Sequence, residues 1–328
     1  MKEVVFLNKN KERWWEFEND LKNQNAIDPD KLATLFIQLT DDLAYSKTYF
    51  PNSNTSNYLN SLAISVYLLI YKNKKESTNQ FARFWKIDLP LTLKKARKNI
   101  FLSLFIFLLA TAIGVLSMEK SPNFAKIILG KNYVEMTKAN IKKGEPMAVY
   151  SSMEESYMSL AIAQNNIMVS FWALVLGITL TFGTIYVLLS NGIMLGCFQY
   201  FFIKQGIVWP TVLTIWIHGT LEIWAIIVSG ACGLMIGKSI VFPGTYSRLI
   251  SLKNATLDAI KIIMGLMPVF ILAAFLEGFV TRHTEYPYGL RASIILISVF
   301  FIVWYFFLYP NRVYRKMFNK KEYDKTSN

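Results

Sequence analysis

The sequence predicts an all-α fold. It reads as a polytopic membrane helix bundle of about six spans, with room for broken or re-entrant ones, behind an N-terminal cytoplasmic helical domain. Three observations predict this. Of the 328 residues, 53% are hydrophobic and only 17% charged, against about 25% charged in an average soluble domain. Apolar stretches near membrane-spanning length begin around residue 100, and a span needs about 20 residues, or about 17 at the low end. Before that point, apolar residues recur at three- and four-residue spacing among charges, the period of an amphipathic helix.

The first 30 residues are studded with Lys, Glu, Asp and Asn. They lack the apolar core of a signal peptide. Residues 1–98 are expected to form a small cytoplasmic domain of amphipathic helices. Trp14, Phe17 and Leu21 make one stripe. Asp28-Pro29 is a start signal, with Asp as N-cap and Pro at the first helical position. Leu32, Leu35, Phe36, Leu39 and Leu43 line the face that follows. Pro51-Asn52-Ser53-Asn54 breaks the chain, and a third helix carries Leu59, Leu62, Ile64, Val66, Leu69 and Ile70. Phe81–Ile87 mixes aromatics with cations. It reads either as a juxtamembrane elbow in the headgroup plane or as part of the small domain's core.

Residues 99–309 hold six apolar segments: Ile100–Leu116, Ile167–Leu189, Ile193–Val208, Thr211–Ile236, Ile262–Val280 and Ala292–Tyr309. The third is short, contains Gln199 and Lys204, and follows Asn191-Gly192, a dipeptide that favours tight turns. Basic flanks at Lys94–Lys98, at Lys238, Arg248 and Lys253, and in the tail 310–328 place those ends in the cytoplasm. Termini on one side require an even number of crossings, so the third segment is counted as a span. The loop 119–164 then lies outside. It is mixed in charge and long enough for short amphipathic helices.

Net charge is +13. The Lys and Arg residues cluster beside membrane segments, which fits topology and anionic lipid, and no aromatic-basic nucleic-acid motif accompanies them. Nucleic acid is therefore not an expected partner. Cys197 and Cys232 sit in apolar segments and read as packing residues. Gly192 and Gly196, and Ser229, Gly233 and Gly237, recur at four-residue spacing, with Gly230 beside them. Such spacing permits close helix approach in lipid, within the chain or across a homodimer.

Ionisable residues inside apolar helices are the main functional pointer, because a charge at the bilayer centre costs about 2.5–3.5 kcal/mol even on lenient scales. His218 and Glu222 are four apart and share a helix face. Glu277 lies in the next, oppositely directed segment. The three are expected to converge in the outer half of the bundle, at a level comparable with Asn165 and Asn166, and Asn191 is counted with them in one intramembrane polar cluster. A buried structural cluster, a transport or proton relay, and a metal site with one His and two Glu ligands all remain open. The HExxH pattern of metalloproteases, a nucleophilic serine or cysteine motif and a glycine-rich phosphate loop do not occur. Catalytic residues, cofactors and bound metals are accordingly not expected.

The sequence also resembles the stage II sporulation protein M family. The resembling stretches are Arg13-Trp14-Trp15-Glu16-Phe17, Leu39–Tyr45, Tyr49-Phe50-Pro51, Tyr58–Leu62, Asn165-Asn166, Asn191-Gly192, His218–Glu222, Gly230–Gly233 through Gly237, and Ala273–Glu277. The resemblance implies a multi-pass protein of the bacterial cytoplasmic membrane. It implies a scaffold serving membrane-associated peptidoglycan-degrading partners, or a system encoded with a MoxR-type ATPase. The expected function is therefore a non-enzymatic scaffold of an envelope-remodelling complex. The alternatives are a transporter or channel-like protein using Glu222 and Glu277, and an intramembrane metal enzyme.

Overall fold

The computed structural model describes residues 2–22, 29–71, 80–121, 123–144, 155–281 and 286–326. The chain divides into two compact units, Met1–Gln80 and Phe81–Asn328. Among the described residues every regular element is helical.

The first unit consists of α1 (Glu3–Lys22), α2 (Pro29–Tyr49) and α3 (Asn54–Tyr71). Its core is the set of stripes the spacing predicts: Trp14, Phe17 and Leu21 from α1, Leu35 and Leu39 from α2, and Leu59, Leu62 and Val66 from α3, joined by Phe6 and Ala63. Ile64 departs from the expectation and is 51% exposed, since it falls on the opposite face from Leu62 and Val66. The Asp28 cap and the Leu32, Leu69 and Ile70 side chains lie outside the described residues. The Asp42 carboxylate ties α1 to α2. The Trp14 indole donates to Asp42 at 2.8 Å, and Arg13 pairs with the same carboxylate at 2.5 Å.

The second unit begins with α4 (Gln80–Arg83), which runs through a π-helical turn, Phe84–Asp88, into α5 (Leu89–Lys120). Two short helices, α6 (Phe124–Ile128) and α7 (Lys131–Lys142), follow. Then come α8 (Glu155–Val175), α9 (Phe182–Lys204), α10 (Val208–Val241), α11 (Arg248–Leu276), α12 (Tyr288–Ile302) and α13 (Tyr309–Thr326). Among the described residues five helical stretches are long and apolar enough to cross a membrane: Gln80–Lys120, Phe182–Lys204, Val208–Val241, Arg248–Thr281 and Tyr288–Met317. A sixth apolar stretch, Gln164–Ile178, is shorter.

The boundary between the second and third segments needs correction. Asn191-Gly192 is not a turn: α9 passes straight through it, and Asn191 donates to the Val187 carbonyl of its own helix at 2.8 Å. Ile193–Val208 is thus not a separate segment. The chain reverses earlier, in a 3-10 turn at Leu176–Ile178 followed by Leu180 and Thr181, both with positive φ (55° and 79°). In lipid a helix end exposes backbone groups that water cannot satisfy. Here the Thr179 hydroxyl accepts from the Gly183 amide at 2.9 Å, and the Thr184 hydroxyl donates to the Ala173 carbonyl at 2.8 Å, stitching the reversal.

Pairwise contacts give the directions of the helices. Gly192 and Gly196 of α9 face Phe107–Thr111 and Thr111–Val115 of α5, so these two run parallel. Asn166 meets Glu222 and Gly177 meets Gly233, each 56 residues apart (222 − 166 and 233 − 177), so α8 and α10 are parallel and in register. α11 runs against α10, with Cys232 near Ala259 and His218 near Thr281. Lys94 and Arg97 near the start of α5 both bond Asn311 in α13. The second unit therefore begins and ends at one end of the bundle, as an even number of passes requires. At the opposite end Lys204 pairs with Glu119 at 3.1 Å, and Met118, Phe201 and Phe202 pack with Ala125 of α6 and Val134 of α7.

The small-residue stripes serve packing within the chain. A Cβ on Gly192 would come within 2.7 Å of the Phe107 carbonyl oxygen, and one on Gly196 would overlap that of Thr111. Gly230 meets Leu188 and the Ser103 hydroxyl, which itself donates to the Ile227 carbonyl at 2.6 Å. Gly233 and Gly237 receive Gly177 and Thr181 of the reversal. The helix carrying these glycines, α10, is the hub: 83% of its most apolar 18-residue stretch is buried.

Candidate functional site

The helix directions bring the predicted ionisable residues together. Glu222 of α10 accepts from the Asn166 amide of α8 at 2.7 Å. Glu277 opens a π-helical turn, Glu277–Thr281, that continues α11, and lies within electrostatic reach of Glu222. A π turn adds a residue to the helical cycle and shifts which side chains face the neighbour. It carries Thr281 to His218, whose Nδ1 sits 2.9 Å from the Thr281 hydroxyl. The same hydroxyl lies 3.2 Å from the Leu276 carbonyl, to which it can donate.

All three groups are buried, with His218 4%, Glu222 5% and Glu277 5% exposed. Neither carboxylate oxygen of Glu277 has a hydrogen-bond partner among the described residues. Asn165, predicted at the same level, is exposed, and Asn191 donates to a carbonyl of its own helix. His283 lies outside the described residues. Among the described residues no group of three or more His, Cys, Asp or Glu is placed to hold a metal ion.

Sequence reading missed two members of this polar layer. Thr281 is 2% exposed, and Arg291 at the start of α12 is 6% exposed. Arg291 donates to the Tyr286 carbonyl at 2.9 Å and to the Thr214 hydroxyl at 3.3 Å, and its guanidinium sits 4.9 Å from the Tyr288 ring centre. A signal was available: the predicted topology puts Arg291 at the outer end, where the positive-inside bias disfavours it. An arginine kept there is used by the protein interior.

Long apolar helices around a buried polar layer define a polytopic α-helical membrane protein. A family model described as stage II sporulation protein M matches residues 103–282, more than half of the chain and all of α8 to α11. The chain belongs to that family. Residues 4–72 match a second model, a domain of unknown function (DUF8413), so the N-terminal stretches of the resemblance fall in a separate domain family. No curated protein and no solved structure matches the chain.

Proposed function

We propose that the protein is a non-enzymatic membrane scaffold. It is an assembly component of a cell-envelope complex that remodels peptidoglycan, held in the bacterial cytoplasmic membrane with both termini inside. The observation that carries this reading is the burial of the polar layer. Groups on a transport path face water or cargo, whereas His218 and Glu222 of α10 and Glu277 at the end of α11 are at most 5% exposed. Glu222 with Asn166, and His218 with Thr281, act as cross-helix ties that fix packing. Function then falls to the surfaces, namely α6 and α7 at one end and the N-terminal unit. The partners the reading names are peptidoglycan hydrolases or a MoxR-type ATPase system, with a second copy of the chain as a further one.

Capture in cells tests it. A photo-crosslinking residue at Ile127 or Met136, 75% and 46% exposed on α6 and α7, is expected to trap an envelope or membrane protein. If neither position traps one, the scaffold reading fails.

One observation favours a second reading, transport of a small solute, ion or lipid-linked precursor. The Glu277 oxygens have no hydrogen-bond partner among the described residues and lie within electrostatic reach of Glu222, and intramembrane carboxylates commonly titrate or carry cargo. On that reading Glu222→Gln and Glu277→Gln abolish activity in a folded, inserted protein. Unaltered function in both removes it. A metal-dependent enzyme, the third reading, requires stoichiometric metal in the purified protein by elemental analysis.

A further inference from the structure

At the end of the bundle that carries Lys95, α5, α10 and α11 diverge around a cleft of about 510 Å³. Each helix contributes one lysine to its wall: Lys95, Lys238 and Lys261. A single carboxylate shares the cleft, Asp258, and Lys95 holds it at 2.5 Å. Lys238 and Lys261 have no ion-pair partner among the described residues, so the cleft carries a surplus of positive charge. Asn99 and Asn254 add hydrogen-bonding amides to the same wall.

The rim differs from the floor. Phe242, Tyr246 and Leu257 line the cleft and are 72%, 60% and 49% exposed. Phe242 follows directly on one span apolar enough to cross a membrane, Leu257 lies within the next, and Tyr246 lies in the short connection between them. Aromatic residues at a span end sit at headgroup level, and basic pockets between membrane helices take anionic headgroups. A soluble phosphate would use the lysines and leave the apolar rim without an occupant. A phospholipid would use both.

We infer that this cleft binds the phosphate-bearing headgroup of an anionic phospholipid, with its acyl chains against the Phe242 and Leu257 rim. The inference is independent of what the polar layer does. The full-length protein in phosphatidylcholine nanodiscs doped with phosphatidylglycerol provides the test, with retained lipid read by native mass spectrometry. The wild type is expected to retain phosphatidylglycerol in preference to phosphatidylcholine. K238Q/K261Q is expected to lose about thirtyfold of that preference, given the energy of each lysine at an anionic surface. R315Q/K316Q, which removes two exposed cations elsewhere on the same unit, is expected to leave it intact. Equal retention of both lipids, no change in K238Q/K261Q, or an equal loss in R315Q/K316Q each overturns the inference. So does displacement of the bound lipid by millimolar inorganic phosphate, which would assign the cleft to a soluble anion.

Discussion

Gly233→Leu is expected to leave no folded protein in the membrane. Gly233 stands where three helices meet: a Cβ there would overlap the Ala173 carbonyl of α8 and the Thr184 hydroxyl of α9. Those two groups are hydrogen-bonded to each other at 2.8 Å, and neither can rotate away without stranding a buried polar atom. Gly177 faces the Gly233 backbone at the same junction, so the tightness is mutual. Overpacking typically costs about 1–3 kcal/mol when side chains can give way. Here backbone is the obstacle and Leu adds four carbons, so the loss is expected to exceed about 4 kcal/mol, in the range reserved for severe core damage. The measurement is the yield of monodisperse protein after extraction, with its thermal midpoint. Gly219→Ala on the same helix is the control. Its new Cβ meets only Ile215 Cγ2 at 3.8 Å, an ordinary contact, and Ala gains up to about 1 kcal/mol over Gly in a helix. If Gly233→Leu folds like Gly219→Ala, the three-helix junction is wrong.

Trp14→Ala is expected to unfold the N-terminal unit and leave the bundle standing. Trp14 is 2% exposed, lies 5.4 Å from the Phe6 ring and 6.3 Å from the Tyr58 ring, and donates to Asp42. Removing a buried Trp costs about 3–5 kcal/mol. A unit whose core comprises Phe6, Trp14 and eight further buried residues stands near the low end of the 5–15 kcal/mol that domains possess. Asp42 keeps Arg13, so the effect comes from lost packing and not from a stranded carboxylate. Hydrogen exchange on the full chain reads it out. Amides of α1 to α3 are expected to lose protection while those of α10 keep theirs. Unchanged protection in α1 to α3 would contradict the core assignment.

The N-terminal core was legible because a helix pays its debt to the core at a fixed period, and Trp14, Phe17, Leu21 and Leu39 all fall on it. The polar layer was legible for a related reason. His218 and Glu222 share a face, and antiparallel neighbours return Glu277 to their level. The reversal was not legible. Asn191-Gly192 carries the composition of a turn, yet its glycine is used for close approach to α5. The real turn uses Leu180 and Thr181 at positive φ, a conformation that β-branched residues rarely adopt and that no composition rule marks. The π turn at Glu277 was equally hidden, and with it the pairing of Thr281 to His218. Long helical periodicity survives in a sequence, whereas local departures from it are imposed by neighbours.

The account's central claim is that the polar layer is a buried packing element and that the protein works through its surfaces. The most direct test is partner capture in cells by the E222Q/E277Q protein, crosslinked from Ile127 or Met136, once its insertion and thermal midpoint match those of the wild type. Gln keeps the shape of both side chains and removes both ionisable carboxyl groups. The account predicts that the same envelope protein is trapped at wild-type yield. A folded, inserted E222Q/E277Q protein that traps nothing would contradict it.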